Sequence, residues 1–184
     1  EDTPILAVQT QGINPYHQTE EAIEQVLAEE LLPQLTQQPA CLCVIFYGSG
    51  CANDTACGRV REAIQKVLAT DDIIIHSDLL GAARALCGHE EGIACVLGTG
   101  SNSCLFDGKD IIANVPPLGY ILGDEGSGAT LGRQLVNGCL KRQFSQEICT
   151  KFFEQYDLDV AKILERVYRE PMPGRFLASL SPFL

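Results

Sequence analysis

Two glycine-rich turns follow one another closely between Val96 and Gly132: Val96-Leu97-Gly98-Thr99-Gly100-Ser101-Asn102, then Leu122-Gly123-Asp124-Glu125-Gly126-Ser127-Gly128. Glycine reaches positive φ and carries no Cβ, so backbone N–H groups in such a turn can approach an anion. The second turn carries two acids and opens a helix-like stretch over 129–136. Together they suggest one site holding a phosphate and a polyhydroxyl substrate. The simpler reading of the first turn is a hairpin tip between strands 92–98 and 103–107. The two readings are compatible, and short glycine motifs carry little specificity alone.

In open α/β sheets, ligands bind beyond the carboxyl ends of the strands. Four polar features are expected there: Asn14 after a strand 3–10, Gly48-Ser49-Gly50 after 41–47, Asp78 after 72–76, and Thr99-Gly100-Ser101-Asn102 after 92–98. Asp78 is the candidate base, because a carboxylate can take the proton of a sugar hydroxyl as that hydroxyl attacks phosphorus. Its plain alternative is the N-cap of a helix 78–87, a common role for Asp. Asp124 and Glu125 either favour a helix N-terminus by charge or hydrogen-bond vicinal hydroxyls or a metal-bound water. His17, His76 and His89 are dispersed and read as structural or exposed. Arg84 and Arg133 read as solvated or helix-supporting, with phosphate contact as the other option.

The elements that must hold these residues can be read from periodicity. Thr19 starts a helix in which Ile23, Val26, Leu27 and Leu31 recur at helical spacing. The apolar run Cys41–Tyr47 predicts a strand buried on both faces. A helix follows around Cys57–Leu68, then a strand 72–76, a helix 78–87 and a strand 92–98. Strand, helix, strand, helix, strand from Cys41 to Gly98 predicts an α/β layered architecture with parallel strands. Hairpin-like strands at 103–107 and 110–115 come next, then helices at 127–140, 145–156 and 158–169. Pro171-Met-Pro173 breaks the last of these, and another helix begins near Arg175.

Composition narrows the function classes. The 184 residues are 46% hydrophobic and 20% charged, enough for a packed core. A net charge of −11 argues against nonspecific nucleic-acid binding, which needs a basic surface. It does not exclude phosphate ligands, since local N–H groups and a metal can offset global charge. The nine cysteines form no Cys-x-x-Cys pair, and their scatter fits reduced thiols in a cytoplasmic protein. No apolar run is long enough for a membrane span.

Five segments carry a family resemblance: Gln11-Gly-Ile-Asn-Pro15, Phe46-Tyr-Gly-Ser-Gly-Cys51, Ser77-Asp-Leu-Leu-Gly-Ala-Ala-Arg84, Leu97-Gly-Thr-Gly-Ser-Asn102 and Leu118-Gly-Tyr-Ile-Leu-Gly-Asp-Glu-Gly-Ser-Gly128. In motif order they resemble the N-acetylglucosamine kinase family, among the BadF/BadG/BcrA/BcrD-type ATPases of the actin/hexokinase/Hsp70-like superfamily. The resemblance implies a ribonuclease H-like (actin-like ATPase) α/β architecture. Residues 1–97 would be the remainder of a first domain and 98–184 the start of a truncated second. It implies ATP- and Mg²⁺-dependent phosphorylation of an amino sugar, at O6 of N-acetylglucosamine, in a cleft between two domains. Asp78 matches the catalytic aspartate, and Asn14, Ser101, Asn102, Gly119 and Asp124 match sugar contacts. Thr99, flanked by Gly98 and Gly100, matches the nucleotide-phosphate contact. The partner is then a small-molecule sugar, with no nucleic acid and no membrane, and a homodimer stays open.

The chain departs from that pattern in three places. The family's first phosphate hairpin, Asp-x-Gly-x-Thr, precedes the segment matching Glu1. Its adenosine loop and C-terminal helix lie beyond the segment matching Leu184. The expectation is therefore an internal stretch of the family pattern that is not a competent kinase alone. Leu118 also stands where sugar-specific relatives carry Trp. Two other readings remain: an ATPase activating a 2-hydroxyacyl-CoA dehydratase, which would need iron–sulfur cysteines, and a noncatalytic sugar-binding module.

Overall fold

A computed structural model describes residues 6–35, 43–51 and 53–184. Thr19 accepts a hydrogen bond from the Ala22 amide (3.3 Å), and helix α1 (Glu20–Val26) starts there. It continues through a π-helical turn, Leu27–Leu31, into α2 (Leu32–Leu35). Pro33 has no N–H for the carbonyl four residues back, and the widened turn just before it absorbs the mismatch. The strand expected over 3–10 does not form across 6–10, which pairs with no other strand, and residues 3–5 lie outside the described residues.

β1 (Val44–Gly48), α3 (Asp54–Leu68), β2 (Ile73–Ser77) and α4 (Asp78–Cys87) follow the expected alternation. Residues 41 and 42 of the expected first strand lie outside the described residues. β1 and β2 pair in parallel, Val44 opposite Ile73 and Gly48 opposite Ser77, with α3 as the crossover. Ile23, Leu27, Val60, Ala63, Ile64 and Ile73 form a core on one face of the pair. Lys66 on α3 reaches Glu20 and, at 2.7 Å, Glu24 of α1.

Side chains alternate along a strand, so Ile45 and Tyr47 point to the opposite face. There a Cβ on Gly81 of α4 would stand 2.9 Å from the Tyr47 ring. Arg84 Nη1 donates to Tyr47 Oη at 3.0 Å, tying α4 to β1 on this face. Burial of β1 on both faces was the expectation. Ile45 stays 56% exposed, because among the described residues α4 covers that face only around Tyr47.

The parallel pattern stops at β2. β3 (Glu91–Leu97), β4 (Ser101–Asp107) and β5 (Ile111–Val115) make a second, antiparallel sheet in the order β3-β4-β5. The reason is local: Gly98, Thr99 and Gly100 form a tight tip between paired Leu97 and Ser101, so β3 finds its partner at once. The chain divides into two compact units between Ala85 and Leu86. β3, expected to close a domain 1–97, therefore lies in the second unit.

α5 (Gly119–Leu122), α6 (Gly128–Leu140), α7 (Gln146–Gln155), α8 (Val160–Tyr168) and α9 (Pro173–Ser179) complete that unit. The three long helices stand within two residues of their expected bounds. Pro173 opens α9, where a missing N–H costs nothing. Leu135, Cys139, Cys149, Phe152, Ile163 and Leu177 lie in its helical core. α9 lies hard against α6: a Cβ on Gly132 would fall 1.8 Å from the Leu177 carbonyl oxygen.

Candidate active site

Within the first unit, three of the expected polar features meet at the carboxyl edge of the parallel pair. The register sets Gly48 beside Ser77, so the Ser49-Gly50 turn and Asp78 leave neighbouring strand ends. Asn14 joins them by side chain, its Nδ2 donating to Ser49 Oγ at 3.5 Å. Asn14 is held from several sides. Its Oδ1 accepts from the Tyr16 amide (2.9 Å), its amide donates to Gln18 Oε1 (2.6 Å), and Arg59 of α3 donates to the Pro15 and Gln18 carbonyls. Gly50 answers two demands at once. Its φ is +83°, and a Cβ there would stand 2.2 Å from Asn14 Oδ1.

Asp78 is exposed and is the first residue of α4. The capping bond into the helix comes from the preceding residue: Ser77 Oγ accepts from the Leu80 amide at 3.3 Å. Among the described residues, Asp78 Oδ1 accepts only from its neighbour's amide, Leu79 N, at 2.8 Å. The cap alternative for Asp78 is thus taken by Ser77, and the carboxylate keeps lone pairs for a ligand. Cys51 lies within its electrostatic reach. Burial first, then Cys57 and Asp78, push the Cys51 thiol up to about 11.

Within the second unit the two glycine-rich turns are joined at Asp124. This residue is 8% exposed, with φ +55°, a conformation Asp tolerates better than most residues. Its Oδ1 accepts from the Ser101 amide at 3.1 Å, and its own amide donates to the Pro117 carbonyl at 2.8 Å. Its carbonyl accepts from Thr130 Oγ1 at 2.9 Å, and Ser101 Oγ donates to the Glu125 carbonyl at 2.9 Å. Gly100 makes room for this carboxylate: a Cβ there would stand 3.0 Å from both Asp124 oxygens.

The hairpin tip also docks on α6. Gly128 and Ala129, at its first turn, donate to the Gly98 and Thr99 carbonyls at 2.9 and 3.1 Å. Those helix amides are spent on the hairpin, whereas the Thr99 and Gly100 amides have no acceptor among the described residues. Gly119 follows Leu118 in a left-handed pair that starts α5, and Gly123 N closes the turn on the Gly119 carbonyl at 2.8 Å. Arg133 is engaged here, donating to the Tyr120 carbonyl at 2.8 Å.

Sequence reasoning missed Asn114. Its Nδ2 donates to Asn102 Oδ1 (2.7 Å) and to the Ser103 carbonyl (2.8 Å), while the Ser103 amide donates to the same Asn102 oxygen (2.8 Å). Asn102 is thereby left to present its NH₂. Only strand register brings the two together, and no motif spacing encodes that.

Gly98, Thr99, Gly126 and Arg175 are among the residues lining an open cleft of about 520 Å³, a size suited to a small ligand. A Cβ on Gly98 would meet nothing within 4 Å. The tip therefore has open space beside Gly98 and unpaired amides at Thr99 and Gly100, a donor set that suits a phosphate chain. For a metal, no three His, Cys, Asp or Glu side chains converge among the described residues. Cys51, Cys57, Cys87, Cys95, Cys104, Cys139 and Cys149 are free thiols. No described helix is long and apolar enough to cross a membrane.

No family model matches the chain, and no curated protein matches it. Solved structures do. The Putative N-acetylglucosamine Kinase of Porphyromonas gingivalis is 52% identical, with a TM-score of 0.90 over 96% of this chain. The Putative N-acetylglucosamine Kinase of Chromobacterium violaceum, 23% identical with a TM-score of 0.73, shares the fold. The chain spans 62% of the first protein's length and 65% of the second's.

Proposed function

Because this chain belongs to the N-acetylglucosamine kinase family, we propose that it carries the sugar-binding residues and a phosphate-contacting loop of an ATP-dependent sugar kinase. The substrate is an amino sugar, N-acetylglucosamine, phosphorylated at O6. The finer architecture that goes with this reading is the ribonuclease H-like, actin-like ATPase fold. The observation that carries it is Asp78: an exposed carboxylate at a strand's carboxyl end, relieved of helix capping by Ser77 and flanked by the Asn14–Ser49 pair.

Asp78 takes the proton of the attacking hydroxyl, which sharpens the nucleophile as the new O–P bond forms. Asn14 fixes a sugar hydroxyl with its carboxamide. Asp124 accepts hydrogen bonds from hydroxyls while it holds the Ser101 amide. Ser101 and Gly119 add further sugar contacts, and Asn102 donates through its NH₂. ATP, when bound, would supply the transferable phosphoryl group; the Thr99 and Gly100 amides and the Thr99 hydroxyl would hold its phosphates, with Gly98, whose own amide closes the tip on the Gly100 carbonyl, giving them room. Mg²⁺ would enter on those phosphates, since the described residues offer it no cage of their own. No nucleic acid and no membrane take part, and the protein works in the cytoplasm.

The test is product identification: incubation of the intact protein with ATP and N-acetylglucosamine, followed by NMR of the sugar product. A 6-phosphate supports the reading. An unmodified sugar, with or without ADP formation, counts against it.

A further inference from the structure

Arg175 has no part in the residues named so far, and its place in the second unit is unexplained by packing. It is exposed on α9, and its guanidinium has no hydrogen-bond acceptor and no ion-pair partner among the described residues. It lines the same cleft as Gly98, Thr99 and Gly126. The other polar side chains of that wall are occupied: Ser179 Oγ donates to the Phe176 carbonyl (2.7 Å) and Ser181 Oγ to the Ala178 carbonyl (2.8 Å). Arg175 is the cationic donor left facing the space.

The glycine at 98 adds an independent observation. Gly128 and Gly132 are demanded by the approach of α9, and Gly100 by Asp124. Gly98 has neither a positive φ nor a neighbour within 4 Å of a would-be Cβ. Nothing in the fold requires glycine there. Gly98 spends its own N–H on the Gly100 carbonyl, but the space beside it and the unpaired Thr99 amide line one cleft with the unpaired guanidinium, which suits an extended anion that must come close to the main chain. In a chain of net charge −11, such an anion needs a local cation.

We propose that Arg175 is a phosphate-binding residue, the cationic wall of a nucleoside-polyphosphate subsite whose other wall is the Gly98-Thr99 turn, with the Thr99 amide as its unpaired donor. This rests on the reading that Gly98–Gly100 holds nucleotide phosphates. A guanidinium fork can take two phosphate oxygens at once, which lysine cannot do.

The experiment is calorimetric titration of the protein with ADP, using wild type, Arg175→Ala, Arg175→Lys and Gly98→Ala, with inorganic pyrophosphate and adenosine as competitors. Thermal melts check that each variant folds. Arg175→Ala is expected to weaken ADP binding about tenfold or more, the size of a lost hydrogen bond to a charged group. Arg175→Lys should recover part of that. Gly98→Ala should weaken ADP without lowering the melting temperature, and pyrophosphate should displace ADP. Unchanged ADP affinity in a folded Arg175→Ala protein overturns this proposal alone. Displacement by adenosine but not by pyrophosphate overturns the phosphate assignment. Wild type that binds no ADP overturns both this proposal and the nucleotide reading of the tip, and retained sugar binding would then favour a noncatalytic sugar module.

Discussion

The Asp124 carboxylate accepts from the Ser101 amide at 3.1 Å, so an acid in one glycine-rich turn fixes the tip of the other. Asp124 therefore holds the hairpin on which Ser101 and Asn102 ride, and in the proposed function it also offers acceptors to a sugar. The two can be separated by substitution. Asp124→Ala loses a buried hydrogen bond and puts Ala at φ +55°, so it should cost about 2–3 kcal/mol by denaturant titration. Asp124→Asn keeps an acceptor for Ser101 and tolerates the left-handed conformation. It should fold near normally yet raise the sugar KM, and an unchanged KM in that variant would remove Asp124 from the sugar site.

Asn114 is expected to act through Asn102. Asn114→Ala frees the Asn102 carboxamide to rotate, so the sugar KM should rise several-fold while kcat stays within about twofold, the pattern of lost ground-state binding. Equal loss in kcat and kcat/KM would instead mean that the pair acts in the transition state. Asn114→Asp, which offers no N–H to Asn102, should resemble Asn114→Ala.

Two glycines in helices should respond with opposite sign. Gly132→Ala drives a methyl into the Leu177 carbonyl and should separate α6 from α9, costing about 2 kcal/mol or more. Gly58→Ala in α3 meets nothing within 4 Å and should stabilise by up to about 1 kcal/mol. Urea titrations of the two variants beside wild type would read both. A neutral Gly132→Ala would contradict the close α6–α9 packing.

The buried thiols should make the fold sensitive to alkali. Burial, then the neighbouring Cys149, pushes Cys139 up to about 12 from an ordinary 9.0, and Cys51 rises to about 11. Thiols whose folded pKa is raised favour the folded state fully below about pH 9, and that stability is lost as pH climbs from 9 towards 11 and 12. Melting temperature should be flat from pH 7 to 8.5 and fall by pH 10. At pH 8 an alkylating reagent should label exposed Cys95 well before Cys139. Early labelling of Cys139 would show that its site opens readily.

Much of this was legible in the chain. Helical periodicity located α3, α4 and the long helices of the second unit, and Thr99-Gly-Ser-Asn102 with Gly123-Asp-Glu-Gly126 marked the residues that Asp124 joins. What periodicity could not give was partnership. A run such as Ile93–Leu97 looks the same whether it pairs in parallel with an earlier strand or antiparallel with the next. The tight Gly98–Gly100 tip decided for the hairpin. Ser77 was overshadowed by its acidic neighbour, although serine is an equally good cap. Asn114 and Arg175 come close to the turns only through strand register and the α6–α9 contact, which leave no local mark.

The central claim is that Asp78 is the base of a sugar kinase, and coupled ADP release with and without N-acetylglucosamine measures it most directly. The expected result, in the intact protein, is sugar-dependent ADP release that falls about 10²–10⁴-fold in Asp78→Asn, with the melting curve retained because Ser77 still caps α4. Turnover near the wild-type rate in Asp78→Asn, or ADP release indifferent to the sugar, would contradict it.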